Sequence, residues 1–239
     1  MAQRILRDGS SLAGSGLTTL SHTLESREQP CRDGLRLGIF GGTFDPVHLG
    51  HLIVAEEAGA RLALDRVIFT PARLSPFKMS STFFSAQDRF RMVELAIADN
   101  PHFSVSPVEL ARTAPSYTVD TIRALRARHG ERAALFFVMG LDSLVGFAAW
   151  HRPEEIIRLA RLIVINRPGV SVDWSDLERA VPGIRQASEV IDTVNIGISS
   201  TDIRERLRQG LPIRYQVPDA VESYIRDKRL IPTAETPTR

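Results

Sequence analysis

Cysteine is almost missing from this chain: Cys31 is the one thiol in 239 residues. An intrachain disulfide is thereby excluded, and a reducing, cytoplasmic setting is the expectation. Lysine is nearly as scarce. Of 30 basic residues only Lys78 and Lys228 are lysine, and the rest are arginine. Codon usage accounts for such a skew more simply than ligand choice does. A stripe of one charge sign is also absent. The arginines are interspersed with 28 acidic residues, and the net charge is only +2 although the pI is near 9.0. Nucleic-acid binding needs a basic face, so no nucleic-acid partner is expected. Long hydrophobic runs are missing too. The longest, such as residues 133–139 and 162–165, fall far short of the roughly 18 residues of a membrane span, so no membrane partner is expected.

What is present is ordinary globular material, 43% hydrophobic and 24% charged. The length suits one sizeable α/β domain. Residues 1–34 are rich in Ser, Gly and Thr and show no sustained period or apolar secretory core, so they read as a disordered extension. Residues 232–239, with Pro232 and Pro237, read as a frayed tail. The domain is expected over residues 35–231.

Within it, short apolar runs alternate with helical patterns. Leu37-Gly38-Ile39-Phe40, Val67-Ile68-Phe69, Phe103-Ser104-Val105, residues 135–138, 162–165 and 190–196 read as strands. Asp45-Pro46 reads as an N-cap and first-turn pair for a helix carrying Leu52, Ile53, Ala55, Ala58 and Leu62. Ser85 to Asp88 has capping-box character. Further helices are expected over residues 118–128, from Pro153, and over residues 199–208. Continuous apolar strands with crossover helices predict a Rossmann-like, doubly wound parallel sheet in a single domain. The first strand–turn–helix junction then lies at the carboxyl edge of the sheet, where such folds bind ligands.

That junction carries the densest motif, Gly41-Gly42-Thr43-Phe44-Asp45-Pro46-Val47-His48-Leu49-Gly50-His51. Two glycines after a strand let a ligand approach the backbone. Unpaired N–H groups at a helix start attract anions. His48 and His51, three apart, share a face, and two imidazoles over a helix N-terminus suit a polyphosphate. The spacing of Gly38, Gly41 and Gly42 does not match the G-x-G-x-x-G dinucleotide pattern. A zinc site on the two histidines lacks an obvious third ligand. A second motif, Ser199-Ser200-Thr201-Asp202-Ile203-Arg204, combines a capping box with three hydroxyls and an arginine at a helix start. The same residues describe a phosphate clamp.

These two runs together resemble the paired signatures of the nucleotidylyltransferase superfamily. Pro115-Ser116-Tyr117-Thr118, Gly140-Leu141-Asp142-Ser143, Trp150 and Asn166-Arg167-Pro168-Gly169 follow in the order of bacterial nicotinate-nucleotide adenylyltransferases. The resemblance covers about residues 37–230. It implies transfer of the adenylyl group of ATP to nicotinate mononucleotide, releasing pyrophosphate, in NAD biosynthesis. It implies that Gly41, Gly42, Thr43 and Phe44 line the nucleotide cleft with their backbone. His48 and His51 would face the ATP phosphates, with Ser199, Ser200, Thr201 and Arg204 on the other side. Ser116, Tyr117, Thr118 and Asp142 would shape the mononucleotide site, Trp150 would stack on the pyridine, and Arg167 would lie beside it. Lys78 would join His48, His51 and Arg204 in stabilising phosphate charge. No dedicated protein metal site is implied; Mg2+ would be held mainly by ATP and water. A homo-oligomer is left open.

One departure stands out. The family usually has Pro-Pro-His-Lys where this chain has Ser75-Pro76-Phe77-Lys78, and Phe77 has no side-chain donor. Alternatives are the same chemistry on nicotinamide mononucleotide or another phosphate acceptor, a nucleotide sensor without turnover, and a metal hydrolase built on the two histidines.

Overall fold

The computed structural model describes residues 34–73, 82–112, 116–194 and 196–230. The expected extension (Gly34 aside), the expected tail, Ser75 to Lys78 and Pro115 lie outside the described residues.

β1 (Arg36–Gly42) leads through α1 (Leu49–Arg61) to β2 (Arg66–Pro71), and α2 (Ala86–Ala96) leads to β3 (Phe103–Val105). α3 (Thr118–His129) precedes β4 (Ala134–Gly140), and α4 (Leu141–Val145) and α5 (Pro153–Leu159) precede β5 (Arg161–Ile165). α6 (Trp174–Ala180) and α7 (Ile184–Ala187) precede β6 (Ser188–Ile191), and α8 (Ser200–Arg208) and α9 (Asp219–Asp227) follow it. The six strands form one parallel sheet in the order β3-β2-β1-β4-β5-β6. The order reverses between β1 and β4, which opens a crevice at their carboxyl ends. This is the doubly wound architecture expected from the strand–helix alternation.

Alternation along each strand divides the core in two. Phe40, Phe69, Val138 and Ile163 face Ala55 of α1, Met92 of α2, Ile203 of α8 and Val221 of α9. Ile39, Ile68, Phe137 and Leu162 face Val119 and Ile122 of α3, Ile156 of α5 and Leu177 of α6. Both faces are covered, so the strands read as continuous apolar runs rather than alternating ones.

Three local expectations are corrected. Asp45-Pro46 does not open α1: the N-cap is His48 and the helix starts at Leu49. The Asp45 carboxylate instead accepts hydrogen bonds from the N–H groups of Phe83 and Phe84, at 2.8 and 2.9 Å. The last strand covers Ser188–Ile191, not residues 190–196. Its one neighbour, β5, ends at Ile165 opposite Ile191, so the ladder stops there. Helices α4, α6, α7 and α9 are additional to the expected set. The first three have at most seven residues, too few turns to display a helical period. Among the described residues no helix is long and apolar enough to cross a membrane.

Candidate active site

The loop after β1 is held by side chains from distant parts of the chain. Phe44 adopts φ of 49°, a left-handed conformation uncommon for a bulky residue. Its ring is buried against Phe40, Phe69 and His51, with centroids 5.5, 5.7 and 5.0 Å away. A Cβ at Gly42 would lie 2.9 Å from that ring. The first use of Gly42 is therefore to admit Phe44, before any ligand.

The two histidines meet as their spacing predicts. Their rings stack with centroids 3.6 Å apart and planes 28° from parallel. His51 Nδ1 accepts a hydrogen bond from the His48 backbone N–H at 3.2 Å. In the neutral ring that leaves Nε2 as the protonated nitrogen, a donor. Imidazole lone pairs lie in the ring plane. Two nearly parallel rings direct theirs side by side, so the pair does not converge on one metal ion. Among the described residues no group of three or more His, Cys, Asp or Glu could hold a metal ion.

Gly50 provides the room for this stack. A Cβ there would sit 3.1 Å from His48 Nδ1 and 3.2 Å from its Cε1. The Gly50→Ala change should therefore separate stability from activity. Alanine's helix preference, below the roughly 0.5–1 kcal/mol of a helix interior because Gly50 is in the first turn, is offset by the shift of the buried imidazole, while that shift lowers turnover by about tenfold. Thermal melts and steady-state assays on the same preparation check both effects.

Burial pushes the His48 imidazole down to about 4, and the Arg167 charge acts in the same direction. At neutral pH His48 is thus an uncharged ring, which narrows the expected charge-stabilising role to hydrogen bonding. The depressed value has a thermodynamic consequence. Between about pH 6.5 and 4 the unfolded chain takes up a proton at His48 that the folded chain refuses. Stability at this residue is complete above the unfolded value and falls by about 3 kcal/mol as the pH drops through that window. Denaturant titrations from pH 7 to 4 should show a slope that His48→Asn makes shallower by up to about 1.4 kcal/mol per pH unit.

The second motif docks on the first. Ser200 Oγ donates to Pro46 O at 2.9 Å, and Arg204 Nη1 donates to Asp45 O at 2.8 Å. Arg204 Nη2 donates to Thr201 Oγ1 at 3.1 Å. Half of the expected capping box is present: Ser199 Oγ accepts from Asp202 N at 3.1 Å, but the Asp202 carboxylate accepts from Ser199 Oγ, at 2.7 Å, rather than from the Ser199 backbone. The N-termini of α1 and α8 thus lie side by side, and both bring positive dipole ends to one edge of the sheet.

Beside them is a cavity of about 740 Å³. Gly41, Gly42 and Thr43 form part of its wall, with Ser116, Tyr117 and Thr118 from the start of α3, Asp142 from α4, and Trp150. Trp150 is buttressed by Phe147 and, edge-on, by Phe137, with centroids 5.2 and 6.0 Å away. Arg167 Nη1 lies 3.7 Å from the Asp142 carboxylate, with both side chains more than half exposed. Apart from Phe44, which is buried in the core, and Arg167, which only approaches Asp142 at the rim, the described predicted residues fall into two neighbouring sets joined by the loop after β1. One set lines the cavity. The other, His48, His51, Ser199, Ser200, Thr201 and Arg204, forms the edge next to it. Lys78 lies outside the described residues.

A Cytidylyltransferase-like family model matches residues 39–206. A probable nicotinate-nucleotide adenylyltransferase of Dehalococcoides mccartyi (strain CBDB1) is 43% identical over 197 residues, 82% of this chain and 97% of that protein. One from Thermomicrobium roseum is 45% identical over 200 residues, 84% of this chain and 93% of that protein. The chain belongs to the nicotinate-nucleotide adenylyltransferase family. The fold agrees with that of a solved Plasmodium falciparum nicotinic acid mononucleotide adenylyltransferase complexed with NaAD. That similarity has a TM-score of 0.67 at 18% identity, over 82% of this chain and 97% of that one.

The adenylyltransferase cavity also contains residues that motif reading passed over. Glu109 is buried on its wall, and its carboxylate accepts from Thr121 Oγ1 at 2.8 Å. Burial raises its pKa, against the pull of the Thr121 hydroxyl and of Arg112. His151 packs against Tyr117, with ring centroids 4.4 Å apart and planes tilted by 32°, and also faces the cavity. Glu109 sits between Val108 and Leu110, and an acid with apolar neighbours was the available signal. His151 had none beyond following Trp150.

Proposed function

We propose that the protein transfers the adenylyl group of ATP to nicotinate mononucleotide, forming deamido-NAD and pyrophosphate. The observation that carries this reading is the docking of Ser200 and Arg204 on the Asp45–Pro46 carbonyls, 154 and 159 residues away in sequence. It sets two helix N-termini and the histidine pair beside a cavity walled by Ser116, Tyr117, Thr118, Asp142 and Trp150. One part suits a polyphosphate and the other a mononucleotide with an aromatic base.

No protein nucleophile is needed. A phosphate oxygen of the mononucleotide attacks the α-phosphorus of ATP; the bond to the bridging oxygen breaks, and pyrophosphate leaves. Two anions must be brought together, so positioning and charge compensation dominate the barrier. The α1 and α8 N-termini, Arg204 and Lys78 supply positive potential. His51 supplies a donor at Nε2, and His48 a neutral ring behind it. Mg2+ would accompany ATP, held by phosphate oxygens and water, and would offset charge on the reacting phosphates. Trp150 offers a face for the pyridine, and Arg167 a cation near that pocket.

The test is pyrophosphate release from ATP and magnesium, with nicotinate and nicotinamide mononucleotides compared side by side. Release with a strong preference for the acid is expected. Preference for the amide would keep the reaction and change the substrate. Release with neither, from folded protein, would overturn the proposal.

A further inference from the structure

Arg89 is the bulkiest fully buried side chain among the described residues. It is in helical phase with Met92, Val93 and Ala96 on the core face of α2. A guanidinium is a costly group to bury and survives there only when its donors are matched. They are matched by three backbone carbonyls from three segments. Nη1 donates to Thr43 O at 2.5 Å, Nη2 to Arg73 O at 3.1 Å, and Nε to Phe84 O at 3.3 Å. The first carbonyl belongs to the loop after β1, the second to the segment just after β2, and the third to the lead-in to α2. Burial lowers the Arg89 pKa, and the charges of Asp45 and Glu109 oppose that.

The bond to Thr43 has the functional consequence. A trans peptide is planar, with its C=O and N–H on opposite sides. Holding the Thr43 carbonyl therefore aims the Phe44 N–H away from the buried guanidinium. The same peptide leads into the left-handed Phe44, a conformation that persists only when its surroundings enforce it. Arg89 grips the loop before Phe44, and Arg204 grips it after, at Asp45 O. Thr43 itself is on the cavity wall.

We propose that Arg89 is a positioning residue for adenylyl transfer: it locks the Thr43–Phe44 peptide so that its N–H is presented to the ATP phosphates. Arg89 touches no substrate. The inference rests on the proposed function for the identity of the substrate.

Arg126 is the natural control. It makes the same kind of bracket, donating to Glu131 O, Ala133 O and Leu159 O at 3.1, 2.8 and 2.6 Å. Its carbonyls lie at the amino ends of β4 and β5, the edge of the sheet opposite the cavity. The Arg89→Lys variant keeps the charge but not the planar fork, so it cannot serve three carbonyls at once. Arg89→Gln removes the buried charge and retains one donor group, in case the lysine variant does not fold.

Melting temperature, kcat, KM for each substrate, and magnesium–ATP affinity by calorimetry are measured for R89K, R89Q and R126K. All three variants are expected to melt earlier. Only the Arg89 variants, assayed well below their melting points, should lose kcat/KM for ATP, by about 10- to 100-fold, with KM for the mononucleotide little changed. Kinetic constants for R89K and R89Q matching those of R126K would overturn the proposal. So would failure of both to fold, which would assign Arg89 to stability alone. If wild-type protein binds magnesium–ATP but releases no pyrophosphate, the proposed function falls while Arg89 is still tested. A tenfold or greater loss of ATP affinity in R89K then supports the positioning role, and unchanged affinity refutes it. Wild-type protein that binds no ATP would refute both.

Discussion

Replacing His51 with alanine is expected to lower pyrophosphate release by about 100-fold or more, the scale for losing a key electrostatic donor. The ring lies between Phe44, 5.0 Å away, and His48, 3.6 Å away, so it has little freedom to reorient. Its Nδ1 accepts from the His48 N–H, so in the neutral ring Nε2 is the donor nitrogen that the proposed function assigns to the phosphates. Stability should fall by only about 1 kcal/mol, the worth of a lost N-terminal cap. Isosteric variants separate the two nitrogens. Asparagine places an acceptor near Nδ1, so His51→Asn should recover the cap without turnover. Glutamine places a donor near Nε2, so His51→Gln should recover part of the turnover without the cap. Near-normal turnover in His51→Ala would remove this residue from the mechanism.

Asp45→Ala is expected to be the most destabilising single change near the site, at about 3 kcal/mol. The carboxylate is only 5% exposed and accepts from the N–H groups of both Phe83 and Phe84. Alanine leaves both donors without that acceptor. It also removes the negative charge that faces Arg89 and lies 3.9 Å from Arg204 Nη1. At about 2–4 °C per kcal/mol for a domain of this size, the melting temperature should drop by roughly 10 °C. Asparagine should recover little, because it can accept one of the two bonds but turns an amide donor toward the other. A melting temperature within a degree or two of wild type would show that the Asp45 bridge contributes nothing net.

Asp45 also shows where sequence reading stops. An Asp-Pro pair ahead of an apolar helical pattern has the local chemistry of a helix start. The carboxylate is drawn instead to two N–H groups nearly 40 residues away, and His48 caps the helix. Ser199 and Asp202 are readable because donor and acceptor lie within one turn of each other, and Ser199 caps α8 as expected although the reciprocal bond goes to its hydroxyl rather than its backbone. The last strand was misplaced because its length depends on where β5 ends, not on its own apolar residues. Arg89 carried a signal, a charge on the apolar stripe of α2. Its partners Thr43, Arg73 and Phe84 share no motif with it.

Sequence alone determined the fold class, because apolar runs of strand length alternating with helical periods leave few ways to bury both faces of a sheet. It determined the contents of the edge formed by the α1 and α8 N-termini, because the Gly-Gly…His-x-Gly-His and Ser-Ser-Thr-x-x-Arg runs are local and dense. The tertiary structure decided how those groups are used. Packing decided that His48 is uncharged at neutral pH, that Gly42 serves the Phe44 ring, and that a buried arginine braces the loop between them. Each of these depends on desolvation or on contacts between residues far apart in the chain. Such terms take their sign and size only when the sheet brings the segments together.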